Sequence, residues 1–194
     1  MGLDYHYNLS PQDIQQKVLI RQLKHAVALN KHLVSTFPIS HTSLSQPDFV
    51  VHTREADDDI LRILTEHVPR ETHIHVHCFT DTPALASSLL SHFPNLFIGI
   101  TGVITYSSNL NTTEVVKQTP LERLLLETDS PFMTPNNVQK AIKGLGGKST
   151  RLTVCSSGMI PWTAEWVANI KGVSVENVLD VTRVNAERMY GISV

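Results

Sequence analysis

Short apolar runs alternate with helix-like segments along most of this 194-residue chain, and that alternation limits its fold more than any other feature. Phe49-Val50-Val51-His52, His73 to Phe79, Leu96 to Thr101 and Leu124-Leu125-Leu126-Glu127 read as buried strands. Between them, residues 56–68 place Ile60, Leu61, Ile63 and Leu64 on one helical side. Pro83 opens a helix predicted to reach Phe93, and Thr112 to Gln118 forms a short one. Ahead of these, residues 10–30 repeat Ile14, Val18, Leu19, Leu23, Ala26 and Val27 at helical spacing, with Ser10 as N-cap and Pro11 in the first turn. Strands joined by connections longer than a hairpin pair in parallel, with the helices packed outside the sheet. After Pro135 the pattern breaks. Residues 136–158 are rich in Gly, Lys and Ser and read as an irregular excursion. Two helices close the chain, one from near Pro161 with Trp162, Trp166 and Ile170 on a packed side, the other from Ser174 as cap to Gly191 as stop.

Composition removes several function classes. Apolar residues at 41% and charged residues at 18% suit a packed core and argue against disorder. A net charge of -2 lacks the basic excess of a non-specific nucleic-acid binder, so any such contact is local or carried by a metal ion. Two cysteines, Cys78 and Cys155, cannot make a disulfide-dense scaffold. No apolar run approaches about 20 residues, so no membrane span is expected, and Met1-Gly2-Leu3-Asp4 does not open a signal peptide. The expectation is a single soluble domain over residues 1–194, intracellular, in the cytoplasm or nucleus.

Histidine stands apart. All ten lie between positions 6 and 92. His52 follows one apolar run, His77 another, and Asp129 stands just beyond Leu124-Leu125-Leu126-Glu127-Thr128. In parallel α/β proteins reactive groups gather at the carboxyl ends of the strands. A lone strand-end histidine is an ordinary core or surface group. Two imidazoles and a carboxylate at three strand ends suit Zn²⁺ or a similar first-row cation. Cys78, next to His77, is expected to point to the opposite face and to pack.

Several segments in the right order carry a resemblance. They are Gly2-Leu3-Asp4-Tyr5, His52-Thr53-Arg54-Glu55-Ala56, His77-Cys78-Phe79-Thr80 and Gly99-Ile100-Thr101-Gly102. Leu124 to Pro131 and Asn185 to Gly191 complete the set. Together they resemble the TatD-type family of metal-dependent deoxyribonucleases, over essentially the whole chain. The resemblance implies a TIM-type (β/α)₈ barrel of the amidohydrolase kind, a site for one or two divalent metals (Zn, Mg or Mn) and phosphodiester hydrolysis with DNA as substrate. It implies His52, His77 and Asp129 as metal ligands, with Asp129 also catalytic. Arg54 and Lys148 become candidates for holding the substrate backbone, with Lys143 and Arg151 near Lys148.

The chain also departs from that pattern. It has no His-x-His pair ahead of Gly2 and no Glu there, so three of six implied ligands are present. His73 and His75 share a face with His77, but only the top layer of a barrel reaches the metal, so both are read as lying below it. The expected architecture is a partial barrel lacking roughly its first four strands, with Gly2-Leu3 as the tail of the fourth. An inserted loop at 34–48, containing His41, enters from the opposite end of the barrel. Asp57-Asp58-Asp59 reads as a solvated helix start. Open sheet edges predict self-association. Two other readings stand beside the hydrolase: a catalytically dead product or pairing partner, and an amidohydrolase acting on C–N bonds.

Overall fold

The computed structural model describes residues 1–7, 9–29, 48–138, 141 and 152–192. The predicted 34–48 insertion lies outside the described residues except for Asp48, as do His41, Lys143, Lys148 and Arg151.

Five strands form one parallel sheet in chain order: β1 (Gly2–Asp4), β2 (Phe49–Arg54), β3 (Ile74–His77), β4 (Leu96–Ile100) and β5 (Leu124–Leu126). Helices α1 (Gln12–Leu29), α2 (Asp57–His67), α3 (Pro83–His92) and α4 (Leu110–Gln118) connect them in turn, and α5 (Ile160–Lys171) and α6 (Val175–Tyr190) follow. A doubly wound sheet reverses its order at a switch point; this one never reverses. Single winding with a helix after each strand is the arrangement of a TIM-type barrel, here a part of one. The partial-barrel expectation agrees with the structure, with one addition. Gly2–Asp4 is a fifth paired strand, set against His52–Arg54 of β2.

Strand alternation sorts the side chains. Phe49, Val51, Ile74, Val76, Leu96, Ile98, Ile100 and Leu124 are buried in one cluster with Leu19 and Leu23 of α1, Ile60, Ile63 and Leu64 of α2, Leu89 of α3 and Val115 of α4. Burying each such side chain is worth about 1.5–3 kcal/mol. The other sheet face carries Val50, His52 and Arg54 from β2, His75 and His77 from β3, Phe97 and Gly99 from β4, and Leu125 from β5. There Phe97 and Leu125 pack with Met189, Ala186 and Tyr190, so the end of α6 covers part of this inner face. Asn185 secures α6 by donating from Nδ2 to the carbonyls of Leu121 and Leu124 at 2.9 and 2.7 Å.

Helix ends follow the sequence signals with one shift. Thr82, Asn109 and Ser174 accept backbone N–H groups as N-caps, and Gly172 and Gly191, at φ 67° and 59°, close α5 and α6. α1 begins after Pro11, whose carbonyl accepts from Ile14 and Gln15 N–H, rather than on a Ser10 cap. Trp166 and Ile170 pack against the core as their spacing predicted. Asp59 departs from its solvated reading: it accepts from Tyr5 Oη, Gln16 Nε2 and Arg62 and ties α2 to α1.

Candidate metal centre

The inner face becomes chemical where the strands end. His52 and His77 are register partners on adjacent strands, and their ring centroids are 6.5 Å apart. His77 stands between two carboxylates. Its Nδ1 is 2.5 Å from Glu127 Oε2 and its Nε2 is 3.3 Å from Asp129 Oδ1. The Glu127 hydrogen bond, reinforced by both negative charges and opposed by burial, holds the His77 pKa above its ordinary value. His52 Nε2 is 3.3 Å from Asp4 Oδ2 at the end of β1. Burial alone would raise the Asp4 carboxyl; His52 and the N–H groups of Tyr7 and His6 bring it below the usual range.

Glu127 is the most constrained group of the cluster. Its side chain is 15% exposed. Oε1 accepts the Cys78 backbone N–H at 2.5 Å and lies 3.4 Å from His75 Nε2. Burial pushes this carboxyl up, but the contacts with His75 and His77 prevail and bring it down to about 2. His75 is 7% exposed, and its Nδ1 is 2.6 Å from Tyr190 Oη of α6. Its Nε2 is buried without a hydrogen-bond partner.

Glycine makes this convergence possible. A Cβ on Gly99 of β4 would stand 1.9 Å from Glu127 Oε1 and 2.4 Å from His75 Nε2. Only an absent side chain lets the carboxylate from β5 cross β4 and reach β3. The backbone bends sharply at the same level. Cys78 at φ 46° and Asp129 at φ 53° occupy the left-handed region just past β3 and β5, as does Glu55 at φ 56° past β2. Such conformations cost energy in non-glycine residues and gather at functional sites. The bend after β2 is held by buried Asp81, which accepts from Thr53 Oγ1 at 2.8 Å and Glu55 N–H at 2.9 Å.

The donor set fits a divalent cation. Atoms bonded to one ion at about 2.1 Å stand roughly 3.0–3.4 Å apart, and the 3.3 Å between His77 Nε2 and Asp129 Oδ1 matches this. His75, His77 and Glu127 also offer one ligand atom each, all within 4.8 Å of one another. Arg54 lines a neighbouring cavity of about 530 Å³ with Asp81, Tyr106 and Asn109, and its guanidinium lies 4.9 Å from the Tyr7 ring centroid.

Sequence reasoning brought His52, His77 and Asp129 to one place and missed two neighbours. His75 lies one step below His77 on the same face of β3, as expected, and in addition touches Glu127 at 3.4 Å. Glu127 and Asp4 lie within the family-like segments, but nothing local in the sequence assigns either a role. Cys78 does not continue the strand. Its turn buries the thiol beside Thr101 Oγ1; desolvation pushes the pKa up to about 11 against the opposing contact with Thr101, and its backbone N–H is donated to Glu127. His73 contacts Asp48 at 3.3 Å and stands apart from the cluster.

A singly wound α/β sheet with imidazoles and carboxylates at its carboxyl ends is a TIM-barrel type of scaffold with a candidate metal site. The profile of the TatD related DNase family matches residues 44–191, and the chain belongs to that family. It is 36% identical over 193 residues to the 3'-5' RNA nuclease TATDN2 of Homo sapiens, covering 99% of this chain and 22% of that protein. It is 31% identical over 193 residues to the uncharacterized metal-dependent hydrolase YabD of Bacillus subtilis, covering 100% of this chain and 64% of the relative. The crystal structure of YJJV, a TatD homolog from Escherichia coli, superposes with a TM-score of 0.76 at 22% identity, over 100% of this chain and 62% of that one. The chain thus spans less than two thirds of the length of these relatives. Among the described residues no helix is long and apolar enough to cross a membrane.

Proposed function

We propose that the strand-end cluster is a divalent-metal centre for hydrolysis of phosphodiester bonds in nucleic acid, DNA foremost, with His52, His77 and Asp129 as ligands. The observation that carries this reading is His77, register-paired with His52 and facing Asp129 at 3.3 Å. The relatives, named as a metal-dependent hydrolase and an RNA nuclease, support the reaction class. A bound metal lowers the pKa of water and polarises a phosphoryl oxygen. Asp129, half-exposed on its strained turn, takes the proton of the attacking water. Arg54 holds the phosphate from the adjacent cavity as a fork donor; Lys148, outside the described residues, is a candidate for the backbone contact on its sequence position alone.

These residues supply three of the six ligands that the family resemblance implies. The 194-residue polypeptide on its own therefore holds metal weakly, cleaves DNA slowly or not at all, and self-associates through the edges at β1 and β5. An intracellular setting, where Cys78 and Cys155 stay reduced, belongs to the same reading. One preparation tests it. Size-exclusion fractions are assayed on single- and double-stranded DNA and on RNA with Mg²⁺ and Mn²⁺, and Zn²⁺ binding is measured by calorimetry. Expected are weak binding, abolished by His77→Ala and Asp129→Ala, and little cleavage in any fraction. Binding unaffected by either substitution overturns the ligand assignment. A fully active monomer overturns the claim that three ligands are too few.

A further inference from the structure

We infer that Glu127 is a positioning residue that fixes the tautomer of His77, so that His77 turns the lone pair of Nε2 toward Asp129 and His52. The inference rests on the metal reading proposed above.

A neutral imidazole carries one N–H and one lone pair, and the hydrogen bond at one nitrogen decides what the other offers. His77 Nδ1 faces Glu127 Oε2 at 2.5 Å. The other oxygen of that carboxylate is committed, because the Cys78 backbone N–H that reaches it at 2.5 Å can only donate. An ionised carboxylate donates nothing, so Nδ1 of His77 carries the proton. Nε2 is left with its lone pair, on the side where Asp129 Oδ1 lies at 3.3 Å. Carboxylates set this way behind metal-ligating histidines typically govern affinity 10- to 100-fold.

The surroundings hold Glu127 to this task. Its side chain occupies the space that a Cβ on Gly99 of β4 would fill. From below, the carboxylate meets His75, which is anchored in turn by Tyr190 Oη at 2.6 Å. The last helix thus supports the centre through Tyr190, His75 and Glu127, although it contributes no group to His52, His77 or Asp129.

Glu127→Gln tests this with almost no change of volume. The amide has one acceptor and one donor end. The Cys78 N–H requires the acceptor, so the NH₂ group must face His77 Nδ1. That nitrogen then has to accept, and the ring proton moves to Nε2, where it blocks the lone pair.

The experiment is ¹⁵N NMR of selectively histidine-labelled, metal-free chain at alkaline pH, where the ring is neutral, with His77 assigned from His77→Gln. Wild type is expected to show the Nδ1–H tautomer and Glu127→Gln the Nε2–H tautomer. Zn²⁺ titration of the same signals should be 10- to 100-fold weaker in the variant. An unchanged tautomer in Glu127→Gln overturns the inference, as does a changed tautomer with undiminished Zn²⁺ affinity. Should the variant fail to fold, an Nε2–H tautomer in wild type overturns it and an Nδ1–H tautomer supports it. A failed metal reading shows separately: wild-type His52 and His77 signals then shift with neither Zn²⁺ nor Mn²⁺, whatever the tautomer.

Discussion

The two walls of the centre are built differently. The wall from β3 to β5 is dense: Glu127 is gripped by His77, His75 and the Cys78 N–H, and Tyr190 closes the chain of contacts from behind. The wall from β1 to β2 is sparse. His52 is 42% exposed, and it approaches Asp4 at 3.3 Å, itself 28% exposed on a three-residue edge strand. Buried, multiply bonded groups hold their geometry in a low local dielectric, whereas half-exposed pairs are screened and exchange partners with water. The dense wall is therefore organised before any ligand arrives. The sparse wall is the adjustable one.

Gly99→Ala should separate the walls most. The added carbon would stand 1.9 Å from Glu127 Oε1, and Glu127 cannot simply swing aside because Cys78 and His77 both hold it. Overpacking of this kind costs about 1–3 kcal/mol. Urea unfolding should show that loss, and Zn²⁺ binding should weaken with it. An unchanged midpoint would mean that Glu127 retreats freely and that the dense wall is not rigid.

The same contrast explains what the sequence showed. The strands, their outward apolar residues and the placement of His52, His77 and Asp129 all follow from periodicity and strand ends, which are local properties. Three residues are too few to display a period, so the sequence of β1 reads only as a tail. Glu127 escaped notice because its role depends on a missing Cβ on the neighbouring strand. The contacts of His75 are not legible because its partners are distant in sequence, Tyr190 lying 115 positions away. Cys78 is buried, as its packing reading expects, but on a turn where strand alternation ends because φ becomes positive.

Acid and base should act on the dense wall in opposite ways. Glu127 has a folded pKa lowered from 4.5 to about 2, so its contribution is present above pH 4.5 and is lost as pH falls toward 2. His77 has a raised folded pKa, so its contribution is present below 6.5 and is lost as pH rises through the higher folded value. Without metal, the pair stabilises the fold most between about pH 4.5 and 6.5. Chemical denaturation across pH should show a maximum there that Glu127→Gln flattens. A profile identical in the two proteins would remove the pair as its source.

Asp4→Asn probes the sparse wall and should do least. Asp4 Oδ1 accepts from His6 and Tyr7 N–H at 3.0 and 3.4 Å, and an asparagine oxygen keeps both contacts. What changes is Oδ2, which becomes an NH₂ group facing His52 Nε2. Exposed ion pairs are worth about 0.2–1 kcal/mol and weaken with salt. The urea midpoint should therefore move by less than about 1 kcal/mol equivalent, and the difference should shrink further in high salt. The imidazole of His52 remains, so Zn²⁺ binding should change less than in Gly99→Ala. A loss as large as that of Gly99→Ala would place Asp4 among the rigid parts and erase the distinction between the walls. A small, salt-sensitive loss would locate the adjustable side of the centre at β1 and β2, next to the Arg54 cavity where the substrate is proposed to enter.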